Sequence, residues 1–281
     1  MAEKVALVTG ASSGIGRAIA QGLAERGYHV AMVARHRGRG EAARAQVAAA
    51  SGNPHVDLLL ADLASQGEVR ALADAFRARH RRLDVLVNNA GGIFGRREVT
   101  PEGLEHTFAL NHMAYFLLAN LLEDLLRASA PARVINVASE AHRYGWVKWS
   151  DLQRARGYTA WGAYAQSKLC NILFTKELAR RLAGSGVTAN CMHPGVVASR
   201  FGQSGDAPTR LGMLLARPFL VTPARASETA VWLATAPELA EVSGRYFARR
   251  RERTPSRAAR DPAAARRLWE ESARLARLPA G

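Results

Sequence analysis

The chain has 281 residues, 48% of them hydrophobic, and carries 39 basic against 24 acidic side chains for a formal net charge of +15. That much apolar material suits a single α/β domain with a full core. Its two cysteines, Cys170 and Cys191, build no disulfide framework and no metal-ligand spacing is present, no apolar run approaches the ~18 residues of a membrane span, and the first strand leaves no room for a signal peptide, so a cytoplasmic protein is expected.

Lys4 to Val8 is a short apolar run that reads as a buried strand, and Thr9-Gly10-Ala11-Ser12-Ser13-Gly14-Ile15-Gly16 follows it directly. Arg17 to Arg26 then reads as a helix that Gly27 stops, and Tyr28 to Ala34 as a second strand. A strand, a glycine turn, a helix and a strand in this order are the context that a dinucleotide fingerprint requires. The spacing is Gly-x-x-x-Gly-x-Gly: Gly10 allows the tight turn, Gly14 lets backbone amides approach a pyrophosphate, and Gly16 lets the helix pack closely. Ser12, Ser13 and Ile15 complete the turn, and the helix N-terminus faces the phosphates. An acidic residue at the end of the second strand would bind a ribose 2′-hydroxyl. Here the strand ends in Arg35, with Arg37 and Arg39 nearby and no carboxylate before Glu41, which predicts NADP(H) over NAD(H).

His55 to Leu60 reads as a third strand, ending at Asp62-Leu63, and Glu68 to His80 as a helix. Leu83 to Val87 is a fourth strand, followed by Asn88-Asn89-Ala90-Gly91-Gly92. Asn88 reads as a brace between strands, and Asp84 as the start of a strand. Thr100 as N-cap and Pro101 in the first turn predict a long helix that carries Asn111 in mid-course. Arg133 to Ala138 is a fifth strand ending at Ser139, Tyr158 to Ala183 a helix, and Val187 to Met192 a sixth strand followed by His193-Pro194-Gly195. Thr222 to Ala236 reads as a further helix and Tyr246-Phe247 as a short last strand. The alternation predicts a doubly wound parallel sheet of about seven strands flanked by helices, a Rossmann-type α/β domain over residues 1–248, with ligands beyond the carboxyl ends of the strands. Residues 249–281 read as a basic C-terminal extension with a terminal helix. With no nucleic-acid motif and no aromatics interleaved among the basic residues, a nucleic-acid partner is not expected, and the charge suits at most loose association with acidic surfaces or lipid headgroups.

Within the long helix, Tyr164 and Lys168 stand four residues apart on one face. A fixed ammonium beside a phenol favours phenolate, which would pull Tyr164 from near pH ~10 toward neutrality and make it a proton donor or acceptor. The pattern alone is weak, because the same spacing occurs on many solvated helices. Its weight comes from the Thr9–Gly16 turn, Asp62, Asn88-Asn89-Ala90-Gly91, Asn111, Ser139, Tyr164-x-x-x-Lys168 and Pro194-Gly195 in this order. Over about residues 3–248 the chain resembles the short-chain dehydrogenase/reductase family. The texture of Asn136 to His142, Ser167 to Leu182, His193 to Val197 and Arg266 to Trp269 is similar to its retinol dehydrogenase branch, with the WW-domain oxidoreductase relatives.

The resemblance implies roles. Tyr164 would exchange a proton with the substrate oxygen, and Lys168 would lower its pKa and bind the nicotinamide ribose. Ser139 would hold the carbonyl oxygen, and Asn111 would position a water linking Lys168 to solvent. Asp62 and Leu63 would border the adenine, Asn89, Ala90 and Gly91 the ribose, and Pro194, Val197 and Ser199 the nicotinamide amide. Ser139 also suits a turn cap and Asn111 a purely local bond. Such relatives commonly form dimers or tetramers through the helices that hold Asn111 and Tyr164, so a homo-oligomer is expected.

Ser139 and Tyr164 are 25 positions apart, wider than in many members of the family. The insert of residues 140–163 contains Tyr144, Trp146, Trp149, Leu152, Tyr158 and Trp161. These aromatics either form an apolar substrate wall or anchor the loop onto the domain. Residues 200–223 read as a lid of short helices. Together they point to a lipophilic aldehyde, ketone or alcohol. Many retinol dehydrogenases carry an N-terminal membrane anchor that this sequence lacks, so the resemblance does not bring retinoid specificity with it. A dinucleotide-binding regulatory or scaffold protein that kept the fold without turnover is the alternative.

Overall fold

In the computed structural model, which describes residues 4–195 and 221–278, the apolar runs pair into one eight-stranded sheet of order β3-β2-β1-β4-β5-β6-β7-β8. The strands are β1 Val5–Val8, β2 His29–Ala34, β3 Val56–Leu60, β4 Val85–Asn88, β5 Ala132–Val137, β6 Val187–His193, β7 Tyr246–Ala248 and β8 Arg251–Glu252. The first seven run parallel, and only β8 turns back against β7. This last strand is two exposed charged residues long, so no apolar run announces it.

Because successive side chains in a strand face opposite ways, Val5 and Leu7 enter one core while Ala6 and Val8 enter the other. The first core lies under α3 (Gln66–Arg79), α5 (Ala114–Leu121), α7 (Ala160–Arg181) and α9 (Pro262–Ala276); the second lies under α1 (Gly14–Ala24), α2 (Arg37–Ser51) and α8 (Pro223–Thr235). Of α2 only Gly40, Ala43 and Val47 are buried, too sparse an apolar stripe to stand out in the sequence. Strand order reverses between β1 and β4, which pair directly, so a crevice opens beyond the carboxyl ends of these two strands.

Thr100 and Pro101 do not start the helix that carries Asn111. Residues 100–103 form a turn closed by Gly103 N–H on the Thr100 carbonyl at 2.9 Å, with Gly103 at φ +81°. The left-handed glycine breaks the helical path. The helix begins instead at α4 (His106–Phe108), where the buried Glu105 carboxylate accepts from Thr107 N at 2.7 Å and Phe108 N at 2.8 Å. A π turn over Ala109–Met113 follows, leading into α5, and α6 (Glu123–Ala128) completes this stretch. Asn111 therefore sits in a widened turn, a feature often found at functional sites.

The chain beyond Arg249 packs into the same core as the rest. Asp261 caps α9 by accepting from Ala263 N at 2.8 Å, with Pro262 in its first turn. Trp269 stacks 5.9 Å from Phe174 of α7 and meets Phe116 of α5 edge-on at 4.9 Å. Thus α9 packs on α7 and reaches α5 through Trp269. Among the described residues no helix is long and apolar enough to cross a membrane.

Candidate active site

The turn after β1 is shaped by contact with the turn after β4. Gly10 has φ +65°, and a Cβ on Gly16 would stand 2.3 Å from the Gly10 carbonyl oxygen and 2.4 Å from Asn89 Nδ2. Only glycine lets the start of α1 come this close. Asn89 Nδ2 donates to the Thr9 carbonyl at 2.8 Å, and Thr9 Oγ1 accepts from Asn89 N at 2.8 Å and Ala90 N at 3.1 Å. Thr9 thus latches the two sides of the crevice, a role its position between strand and glycine turn hints at. Ser13 precedes α1 without a side-chain cap, and the first turn holds no carboxylate, so the helix N-terminus beside Gly14 and Ile15 suits a phosphate. Asn88 does act as a brace: it is buried and donates to Asn136 Oδ1 at 2.9 Å. Asp84 ties β4 to β1 by accepting from Val5 N at 2.8 Å.

At the far end of the crevice the half-exposed Arg35 lies 3.6 Å from Asp62. Asp62 is held by Ala64 N, which donates to its Oδ1 at 3.0 Å, and the neighbouring Leu63 is buried. Arg37 opens α2, whose first turn contains no acidic residue. Ala90 is buried beside the glycine turn, and Gly91 comes close to Asn111 and Lys168: a Cβ there would lie 3.0 Å from Asn111 Oδ1 and 3.5 Å from Lys168 Nζ. Pro194 follows β6 on the same rim. Val197, Ser199 and the lid over 200–220 lie outside the described residues.

Ser139, Tyr164, Lys168 and Asn111 converge. Ser139, at the end of β5, is hydrogen-bonded to Tyr164 and also caps the following turn, accepting from Ala141 N at 3.2 Å. Lys168 Nζ donates to the Val137 carbonyl at 3.0 Å and stands 5.7 Å from the ring centres of Tyr164 and Tyr115. Asn111 Nδ2 donates to the Gly92 carbonyl at 2.9 Å and to Ser167 Oγ at 3.0 Å, while its Oδ1 accepts from Gly92 N at 2.8 Å. Its side chain is therefore committed to tying the turn after β4 to α7. Ser167, inside the Tyr-x-x-x-Lys segment, and the Val137 carbonyl are positioning groups that sequence reasoning left unassigned.

The electrostatics differ from the expectation. Burial pushes the Tyr164 phenol up to about 12, against the opposing hydrogen bond with Ser139. Burial also lowers Lys168 to about 7. The protein groups alone do not pull the phenol toward neutrality, because both partners lose their water together and desolvation outweighs a pull across this distance. His142 and His193 are structural: His142 joins the Ser139 carbonyl at 2.7 Å and accepts from Ser256 N at 3.1 Å, and His193 accepts from Glu140 N at 3.3 Å.

The aromatic insert divides in two. Trp149 packs against the core beneath Arg267, Leu152 is buried, and Tyr158 donates to the Phe94 carbonyl at 2.8 Å. These three anchor the loop. Tyr144 and Trp161 remain 68% and 49% exposed, 6.3 Å apart, and Trp161 stands 6.1 Å from Tyr164. Gln166 of α7 organises the loop between the two groups: its Nε2 donates to the Leu152 carbonyl at 2.9 Å, and its Oε1 accepts from Arg154 Nε at 3.2 Å.

The profile of the short chain dehydrogenase family matches residues 4–208. Human retinol dehydrogenase 13 is 42% identical over 284 residues, covering 99% of this chain and 86% of its own, and mouse retinol dehydrogenase 14 is 41% identical over 287 residues, covering 96% and 84%. Among solved structures, an uncharacterised Mycobacterium paratuberculosis protein superposes with a TM-score of 0.79 at 31% identity, covering 99% of this chain and 94% of its own. The Pseudomonas aeruginosa RhlG/NADP complex superposes at 0.71 and 31%, covering 94% and 97%. The glycine cradle and the uncapped α1 terminus fit a nicotinamide dinucleotide, whose hydride chemistry needs orientation and electrostatics from the protein. The chain belongs to the short-chain dehydrogenase family, in its retinol dehydrogenase-like branch, and is a nicotinamide-dinucleotide-dependent oxidoreductase acting on CH–OH groups and the corresponding carbonyls.

Proposed function

We propose that the protein interconverts a lipophilic aldehyde or ketone and its alcohol with NADP(H), with Tyr164 as acid and base, in the reducing environment of the cytoplasm. The observation that carries this reading is the hydrogen-bonded Ser139–Tyr164 pair lying beside the exposed Tyr144–Trp161 aromatic wall. A nicotinamide dinucleotide held by the Gly10–Gly16 turn would supply or accept the hydride at the substrate carbon. In reduction Tyr164 gives its phenolic proton to the substrate oxygen while Ser139 holds that oxygen in line. Lys168 lies behind the phenol and returns a proton to it. Asn111, tied to Gly92 and Ser167 at the π turn, positions a water that links Lys168 to solvent.

The preference for NADP(H) rests on Arg35, Arg37 and Arg39 around a helix start without carboxylates. Asp62 partly neutralises Arg35, yet a phosphate dianion offers a guanidinium fork more charge than one carboxylate. The test is kcat/KM for NADPH and NADH with a panel of hydrophobic aldehydes. Retinal belongs in the panel because the relatives are named retinol dehydrogenases. An advantage for NADPH of at least about tenfold, worth ~1.4 kcal/mol, is expected; the same advantage for NADH overturns the preference. Tight NADPH binding with no hydride transfer to any carbonyl would instead mark a dinucleotide-binding regulatory protein.

A further inference from the structure

We propose that His29, Asp57 and His80 form a binding site for a divalent transition metal of the zinc class, on the edge of the sheet opposite the catalytic crevice. His29 is the first residue of β2, Asp57 the second of β3, and His80 the residue that closes α3. All three lie at the ends of their elements remote from the glycine turn. They are far apart in sequence, so no ligand spacing reveals them; β2–β3 pairing and the return of α3 bring them together.

Both imidazoles present Nε2 to one carboxylate oxygen. Asp57 Oδ2 is 2.8 Å from His29 Nε2 and 3.3 Å from His80 Nε2, and the three ligand atoms lie within 4.8 Å of one another. In a tetrahedral site with metal–ligand bonds of about 2.0–2.1 Å, ligand atoms stand roughly 3.3 Å apart, so small side-chain shifts place a metal among these three. The rings are edge-on to each other, 89° between planes, which lets two Nε2 lone pairs converge without the rings colliding. The His55 ring lies 5.6 Å from that of His29 and, with water, is a source for the fourth position.

Exposure suits entry. The His80 side chain is 4% exposed, whereas those of His29 and Asp57 are 20% and 36% exposed, so the group has a buried base and an open mouth. Imidazole ligands favour zinc, copper or nickel over magnesium or calcium. The net charge of +15 opposes diffuse gathering of cations, so stoichiometric binding reports a local ligand set. A metal here would cross-link β2, β3 and the end of α3. The other ends of β2 and β3 lead to Arg35 and Asp62, so the metal would brace the adenosine half of the cofactor site without touching the reacting atoms.

The test uses tag-free, chelator-treated full-length protein titrated with Co²⁺, then Zn²⁺. The expected result is about one cobalt per chain with the visible bands of low-coordinate cobalt, displaced by Zn²⁺, and a Tm that rises with Zn²⁺. Both responses should vanish in His29→Gln and Asp57→Asn, two partly exposed positions whose variants should still fold and keep hydride transfer. A cluster that holds only protons would leave Tm insensitive to Zn²⁺ and the cobalt spectrum bare, which overturns the proposal. Stoichiometric binding that survives both substitutions also overturns it, because the metal then sits elsewhere.

Discussion

Tyr164 and Lys168 show how burial sets the working protonation states. With the phenol pushed up to about 12, Tyr164 is protonated at neutral pH, the state that the proposed role as proton donor in carbonyl reduction requires. Alcohol oxidation needs the phenolate, so oxidation should accelerate as pH rises and reduction should not, and paired pH profiles check this. Tyr164→Phe should abolish turnover in both directions while NADPH affinity stays nearly intact, measured by fluorescence titration; retention of most activity would remove Tyr164 from proton transfer. Lys168, lowered to about 7 by burial, binds its proton less tightly folded than unfolded. Its cost to stability is fully present below pH 7 and fades as pH rises toward the unfolded value near ~10.5. Lys168→Met should therefore stabilise the fold at pH 6, by on the order of a few kcal/mol, and have little effect at pH 10, while abolishing turnover. Urea titrations at the two pH values decide it. The pairing of Tyr164 and Lys168 on one helix face was legible in the sequence, because a spacing of four residues fixes it. Their pKa directions were not, because desolvation depends on what packs around them.

The insert between β5 and α7 places two groups of large apolar side chains at one mouth. Trp149, Leu152 and Tyr158 face inward and fix the loop, while Tyr144 and Trp161 face out beside the phenol. Trp161→Ala should raise KM for a bulky aldehyde by about tenfold, the value of one lost aromatic contact of ~1.4 kcal/mol, and leave KM for a short aliphatic aldehyde unchanged. Equal effects on both would mean that Trp161 shapes the fold and not the pocket. The sequence showed an aromatic cluster but could not divide it, since the division depends on Gln166 reaching back from α7 to Leu152 and Arg154. The start of the Asn111 helix was misread for a similar reason. A Thr-Pro pair has the chemistry of a helix start, and only the left-handed Gly103 and the buried Glu105 carboxylate show that the start comes later.

Across the molecule, buried histidines make the fold acid-sensitive. Burial lowers His112 to about 3 and His193 to about 4. Each stays neutral in the fold but charges in the unfolded chain once pH falls below ~6.5. Stability should therefore drop as pH falls from about 6.5 toward 4. Tm measured from pH 7 to pH 4.5 should fall steeply, and His112→Gln should flatten part of that fall. An unchanged slope would mean that His112 is not protonated on unfolding. The alternating layers of a doubly wound sheet were readable from strand-helix alternation, whereas the place of the reversal, between β1 and β4, comes from the strand order. The place of α9 was not readable either, since a helix after the last strand has no fixed destination until Trp269 finds Phe116 and Phe174.

That last helix and the segment leading into it also impose an order in time. Arg267 sits 4.4 Å over Trp149 of the insert, Ser272 bonds His112 just past Asn111, and Ser256 reaches His142 beside Ser139. During synthesis these residues leave the ribosome after Ser139, Tyr164 and Lys168. A nascent chain that already displays Ser139, Tyr164 and Lys168 still lacks these pieces, so a product cut short before Ser256 carries the proposed catalytic groups without the contacts that seat them.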